Sequence, residues 1–271
     1  MQGSRLRSCF NALKDKNKKA LIPYITAGDP SPALTVELMH SLVSSGADVI
    51  ELGVPFSDPI ADGPIIQRSS ERALSKGVCL NDCIRWVKEF REHNKETPIV
   101  LMGYLNPIER YGIKLFAEKA SFVGVDGVLI VDCPPEEATQ IAECFGNNKI
   151  DLIHLVAPTT SDERIKYIAE RGSGYIYYVS LRGVTGANHM DPQDVTSKLA
   201  LINKSTSLPI AVGFGISSVE SAVLVGKTLA DGIVIGSALI KIMEESVVSG
   251  KSPIKEVSKF LCVINEALAK I

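Results

Sequence analysis

Short apolar runs alternate with stretches of helical periodicity along the whole chain, and this alternation restricts the fold more than any other feature. The runs fall at residues 21–26, 49–54, 99–104, 127–131, 152–156, 175–180, 210–214 and 233–235. They are nearly continuous in apolar residues, as expected of strands covered on both faces. Helices are expected between them at residues 34–43, 65–74, 82–90, around 114–122, after Pro134 and Pro135, and at 162–170. Eight strand-then-helix units with no break in composition predict one closed parallel sheet, a single (β/α)8 TIM barrel occupying residues 1–271 as one domain. A doubly wound open sheet is the alternative. It usually carries a glycine-rich turn after its first strand, and here that strand ends in Ala27, Gly28, Asp29 and Pro30. Leu6, Phe10 and Leu13 share one face of an extra N-terminal helix, which is expected to close the N-terminal end of the barrel.

Composition narrows the function classes. The formal net charge of −2 provides no basic field for nucleic acid or an acidic membrane, and the basic run at 14–19 reads as a solvated helix end. The six cysteines, Cys9, Cys79, Cys83, Cys133, Cys144 and Cys262, contain no C-x-x-C pair, so reduced thiols are expected. His40, His93, His154 and His189 lack metal-ligand spacing. The N-terminus has no apolar segment of a secretory signal, and the apolar stretch at 232–240 is about half the ~18 residues of a membrane span. A cytoplasmic location is the expectation.

In a barrel of this kind the chemistry sits at the C-terminal ends of the strands. Glu51 lies inside the second apolar strand, where a carboxylate is costly unless it is paired or functional. It reads either as half of a buried salt bridge or as a proton-transfer group with a raised pKa. The following loop, PFSDPIADGP at 55–64, is long and carries Asp58 and Asp62. Long loops on this face are usually functional, although turn formation or N-capping would also account for either acid. Glycines gather after strands six, seven and eight: Gly183 and Gly186, Gly213 and Gly215, and Gly236 with Ser237. Successive glycine-rich strand ends let backbone N–H groups approach an anion, so a phosphate site is expected there. No expected strand contains Lys for a Schiff base, only His154 of the histidines lies in a strand, and no dinucleotide fingerprint is present. Acid–base chemistry by carboxylates remains.

The chain resembles the tryptophan synthase α-subunit family. The likeness rests on IPYITAGDP at 22–30, ELGVPFSDPIADGP at 51–64, MGYLNP at 102–107, APTT at 157–160, YYVS at 177–180, GVTG at 183–186, GFGI at 213–216 and Gly236-Ser237, in the family's order over nearly the full length. Cys133, where Leu would be expected before Pro134, is a small departure. The resemblance implies a lyase of tryptophan biosynthesis that cleaves indole-3-glycerol phosphate to indole and glyceraldehyde 3-phosphate without a cofactor of its own. It implies Glu51 as the proton shuttle, Asp62 as acceptor of the indole N–H, and Tyr177 in support near Glu51. It places Gly186, Gly215, Gly236 and Ser237 at the phosphate, and Tyr24, Met102, Leu129 and Val234 around the indole. Ordinary core packing accounts equally well for Tyr177 and for these four. The implied partner is a β subunit holding pyridoxal phosphate in an α2β2 heterotetramer, with Asp58 and Thr185, on the loop at 181–195, as closing and contact residues. Two other readings stand beside this one. A phosphorylated-sugar isomerase explains the glycines but not Glu51 with its loop. A catalytically idle activator of a β partner does not explain intact Glu51 and Asp62.

Overall fold

The structure, a computed structural model, describes residues 4–180, 192–213 and 215–271. Its strands are β1 (Ala20–Thr26), β2 (Ile50–Gly53), β3 (Ile99–Gly103), β4 (Gly127–Ile130), β5 (Asp151–Val156), β6 (Ile176–Val179), β7 (Ile210–Gly213) and β8 (Gly232–Ile235). Each runs parallel to the next, and β8 pairs with β1, so the sheet closes as a (β/α)8 barrel. The helices are α1 (Arg5–Asp15), α2 (Thr35–Ser44), α3 (Pro64–Leu74), α4 (Leu80–His93), α5 (Leu105–Tyr111), α6 (Ile113–Val123), α7 (Thr139–Asn147), α8 (Asp162–Arg171), α9 (Pro192–Ser205), α10 (Val219–Gly226), α11 (Ser237–Val248) and α12 (Pro253–Leu268). Their starts are written locally. Ser4, Ser161, Ser218 and Ser252 cap α1, α8, α10 and α12 through their side chains, and Pro64 and Pro253 open α3 and α12.

Residues in register across a parallel sheet share a face. Tyr24, Glu51, Val100 and Gly127 therefore stand together on the inner face of β1–β4, and Tyr177, Ala211 and Gly232 on that of β6–β8. Two tyrosines fit inside because glycine faces each of them. A Cβ at Gly53 would lie 2.2 Å from the Tyr24 hydroxyl, and one at Gly213 would lie 2.1 Å from that of Tyr177.

The N-terminal helix closes the barrel as its periodicity predicts. Leu6 and Phe10 are buried, and Leu13 packs partly buried against the core. Leu6 lies against Gly127, which begins β4, and Gly174, which precedes β6. Arg5 pairs with the buried Asp126 at 2.7 Å, and Asp126 also takes Arg91 of α4 at 2.8 Å. One boundary differs. The helix expected directly after Pro134 and Pro135 begins only at Thr139, because Glu137 and Ala138 first close a turn with their N–H groups on the Pro134 and Pro135 carbonyls. His40 and His93 lie in helices as expected, and the cysteines among the described residues are free thiols.

Candidate active site

Glu51 is completely enclosed. Its Oε1 accepts a hydrogen bond from the Tyr175 hydroxyl at 2.5 Å, and its Oε2 has no hydrogen-bond partner among the described residues. Among the described residues no Lys or Arg pairs with it, so the buried salt bridge that the sequence left open is not formed among them. Burial without a cation disfavours the ionised form, and the Tyr175 hydroxyl offsets this only in part. The carboxyl is pushed up to about 8. Tyr24 and Tyr177 stand near enough for the Glu51 charge to raise their own pKa values, behind the larger effect of burial. The hydrogen bond comes from Tyr175, however, and not from Tyr177, the residue expected to support Glu51. The two tyrosines are two residues apart and share a face, and Tyr175 stands one step nearer the N-terminal end of the strands.

Asp62 is not an N-cap, since α3 is capped by Gly63 without a side-chain bond. Its Oδ2 accepts from the Tyr104 hydroxyl at 3.0 Å, and the same hydroxyl receives the Ala61 N–H at 3.0 Å. The Asp62 carbonyl takes the Gln67 side chain at 2.8 Å, and Phe56 stacks on Tyr104 with centroids 5.0 Å apart. The Asp62 end of the loop is therefore anchored to Tyr104, at the junction of β3 and α5, and to α3. Burial raises the Asp62 pKa, and the Tyr104 hydroxyl opposes that shift. Asp58 is exposed, with its carboxylate taking the Ser57 hydroxyl at 2.6 Å.

Between Asp62 and the ends of β7 and β8 lies a cavity with about 650 Å³ of empty space, including its open mouth. Tyr24, Met102, Tyr177 and Val234 form part of its wall, and Ile66 of α3 adds a further apolar surface. Leu129 faces inward in register with Met102 but is wholly enclosed and is not on the wall. The sequence gives its face of the strand but not its depth. Glu51 likewise lies beside the wall rather than on it.

The opposite side of the cavity carries Gly215, Ser217, Gly236 and Ser237. Gly215 adopts φ +75, a left-handed conformation that glycine takes without strain. Gly236 caps the 12-residue α11, whose first N–H groups, from Ser237 onward, have no carbonyl of their own helix to bind. That is the arrangement in which a helix N-terminus holds an anion. Gly183, Thr185, Gly186 and His189, with most of the 181–195 loop, lie outside the described residues, as does Phe214.

A Cβ at Gly236 would stand 3.2 Å from Cδ1 of Tyr24. Gly236→Val is therefore expected to crowd both the N-terminus of α11 and the apolar wall. Steady-state kinetics should show a KM raised by about tenfold or more, equivalent to ~1.4 kcal/mol, with a smaller change in kcat. An unchanged KM in the folded variant would show that this turn does not hold the substrate.

Salt bridges tie the two sides of the cavity together from behind. Arg72 of α3 holds the buried Asp29 through two bonds, at 2.7 and 2.9 Å, and reaches Glu244 of α11 at 3.0 Å, which Arg68 also grips. The helix that follows Asp62 and the helix whose N-terminus lines the cavity are thus clamped to each other and to the segment that follows β1. Tyr104, Tyr175, Ile66 and Ser217 are the site residues that sequence reasoning missed. Tyr104 stands inside the MGYLNP motif at a strand end, which was the one available signal.

Known proteins match this chain over nearly its full length. The family model described as "Tryptophan synthase alpha chain" matches residues 10–270. The tryptophan synthase alpha chain of Cupriavidus pinatubonensis is 54% identical over 265 residues, 98% of this chain and 99% of that one. The crystal structure of tryptophan synthase subunit alpha from Legionella pneumophila superposes with a TM-score of 0.94 at 43% identity, covering 100% of both chains. A Pyrococcus furiosus structure, described as addressing mutual activation of the tryptophan synthase a2b2 complex, superposes with a TM-score of 0.82 at 43% identity, over 94% of this chain and 99% of that one. With the family model matching residues 10–270 and a relative 54% identical over 98% of this chain, this chain belongs to the tryptophan synthase alpha chain family.

Proposed function

We propose that Glu51 and Asp62 divide the proton and charge handling in the cleavage of indole-3-glycerol phosphate to indole and glyceraldehyde 3-phosphate. The chain is a carbon–carbon lyase of tryptophan biosynthesis, and the proposal concerns which of its groups do what. The observation that carries it is a carboxyl wholly enclosed in the barrel, held at about 8, beside a cavity whose wall carries a second carboxyl. The first is largely protonated at neutral pH and is thus available as an acid; the second keeps an open side.

The chemical obstacle is that indole C3 leaves poorly as a carbanion. Protonating C3 first interrupts the aromatic system and places positive charge on the ring nitrogen. Glu51 supplies that proton. Asp62, as a carboxylate, accepts the indole N–H and stabilises the developing cation. The bond between C3 and the carbinol carbon then breaks, and its electron pair restores the aromatic ring. The carbinol hydroxyl becomes the aldehyde carbonyl and gives its proton to the Glu51 carboxylate. One proton leaves Glu51 and one returns, so the enzyme ends as it began. To reach C3, the carboxyl turns from Tyr175 into the cavity. Gly215, Gly236 and Ser237 hold the phosphate, and Tyr24, Met102, Val234 and Ile66 enclose the indole. Tyr177 stands between Glu51 and the substrate.

These steps draw on the chain's own side chains and need no cofactor. Pyridoxal phosphate belongs to the β subunit, with which this chain assembles as the a2b2 relative does. Asp58 and Ile60, the latter 85% exposed, are the residues of the loop that would meet that partner. Thr185, on the loop at 181–195, is assigned to closure over the site. The whole chain, residues 1–271, serves as one catalytic domain. Among the described residues no helix is long and apolar enough to cross a membrane, and the cytoplasm is the proposed location.

The test is the pH dependence of kcat/KM for indole release. If the free enzyme must hold its proton on Glu51, kcat/KM falls as pH rises through about 8. A rate that stays level or climbs from about pH 7 to about pH 9 would show that the working form is not the protonated one.

A further inference from the structure

The donor to Glu51 is itself seated on the N-terminal helix. Tyr175 is fully buried, with its hydroxyl 2.5 Å from Glu51 Oε1. Its ring stands 5.7 Å from that of Phe10 on α1, tilted by 49°. The residue before it, Gly174, has φ +74, and a Cβ there would come within 3.3 Å of Leu6 Cδ1. The chain thus turns sharply against α1 immediately before placing Tyr175 under the acid.

We infer that Phe10 is a positioning residue for the cleavage reaction: by backing the ring of Tyr175, it sets where the hydrogen-bond donor to Glu51 stands. The plug helix then helps to fix the resting place of the acid, as well as closing the barrel. This rests on the role proposed for Glu51.

The surroundings isolate the ring contact as the route. Among the described residues, the titratable groups around Glu51 are Tyr175, Tyr24 and Tyr177, with Asp62 acting on the last two. β3 contributes Val100 in register, which carries no charge. On the α1 side stand Cys9, whose Sγ meets the Asp48 carbonyl, and Asp48, which takes the Leu21 N–H and feels Lys16 and Lys18. Arg5, Asp126 and Arg91 pair among themselves there, and Asp151 is held by Ser4 and Ser173. None of these hydrogen bonds or ion pairs includes Tyr175 or Glu51. A hydroxyl held at 2.5 Å tolerates little displacement before its bond weakens. A smaller residue at position 10 lets the Tyr175 ring shift.

The experiment follows the alkaline limb of kcat/KM in the full-length chain. The Tyr175 hydroxyl favours the carboxylate form of Glu51, so its loss moves the limb to higher pH. Tyr175→Phe is expected to do this directly. Phe10→Leu should move the limb the same way by less, about 0.3–0.5 of a pH unit, a two- to threefold change in the dissociation constant. Combined with Tyr175→Phe it should add nothing further. Phe10→Met, also smaller than Phe and without the ring but flexible enough to repack, is the second variant should Phe10→Leu not fold, and it should shift the limb likewise. Leu6→Ala, on the same helix, should lower Tm and leave the limb in place. A limb unmoved by either Phe10 variant, a shift additive with Tyr175→Phe, or an equal shift in Leu6→Ala overturns the inference while the role of Glu51 stands. A limb that persists in Glu51→Gln overturns the reading of Glu51, and this inference with it.

Discussion

Glu51→Gln is expected to lower kcat for indole release by about 10²–10⁴-fold, the range that a positioned acid–base group contributes. The amide keeps the size of the carboxyl and can still accept the Tyr175 hydroxyl proton, so the position Glu51 occupies at 2.5 Å remains filled. What it lacks is a proton to give and a site to take one back. Stability supplies the control. In the folded chain Glu51 keeps its proton up to about 8, whereas an ordinary Glu releases it near 4.5. A pKa raised on folding contributes stability below the unfolded value and loses it as pH rises through the folded one. Wild type therefore loses stability between about pH 4.5 and about pH 8 relative to a variant with nothing to ionise there. The ceiling on this effect is about 1.4 kcal/mol per pH unit. Denaturant unfolding at about pH 5 and about pH 8 should show Glu51→Gln gaining on wild type at the higher pH. An inactive variant that is as stable as wild type or more so locates the defect in chemistry. A variant retaining more than about a tenth of the wild-type rate, a barrier change under ~1.4 kcal/mol, would remove Glu51 from the reaction.

The features legible in the sequence are those governed by periodicity and by the cost of burial. Continuous apolar runs announced the strands, a three-to-four spacing of Leu6, Phe10 and Leu13 announced the plug helix, and a lone carboxylate in an apolar run announced Glu51. Depth within the barrel is a different matter. Strand register assigns a side chain to the inner or outer face, but the level at which it meets its neighbours depends on closure by all eight strands. Leu129 and Met102 therefore read alike, although only Met102 reaches the cavity. Tyr175 and Tyr177 also read alike, although only Tyr175 holds Glu51. Contacts between distant segments leave no local signature either. Tyr104 and Asp62 are 42 residues apart, and nothing around either announces the other. The anchor of the Asp62 loop cannot be read from the loop itself, because Tyr104 lies at the end of another strand. The delayed start of α7 has a smaller cause: two prolines invite a turn before a helix can begin.

Asp62→Asn separates charge stabilisation from proton transfer and from anion binding. Asn preserves the anchor, because its amide oxygen can accept the Tyr104 hydroxyl that now donates to Oδ2 at 3.0 Å. Two things change at the indole. The negative charge is gone, and an amide NH2 group can present a donor to the ring N–H, which is itself a donor. Wild-type Asp62 is pushed upward by burial, but it lies on the cavity wall, and a cation developing beside it favours the carboxylate. The group therefore contributes most where the ring is protonated, at the transition state, and little to ground-state binding. Its loss is expected to lower kcat by about 10²–10³-fold, the effect of removing one preorganised electrostatic partner. The phosphate site should be nearly untouched, since Gly215, Gly236 and Ser237 stand at the ends of β7 and β8. Titration of inorganic phosphate into the variant should give a Kd within about twofold of wild type, under ~0.5 kcal/mol. A large loss of phosphate affinity would mean that Asp62 organises the anion site through the clamp between α3 and α11. A kcat near wild type would mean that the ring cation is stabilised by some other group.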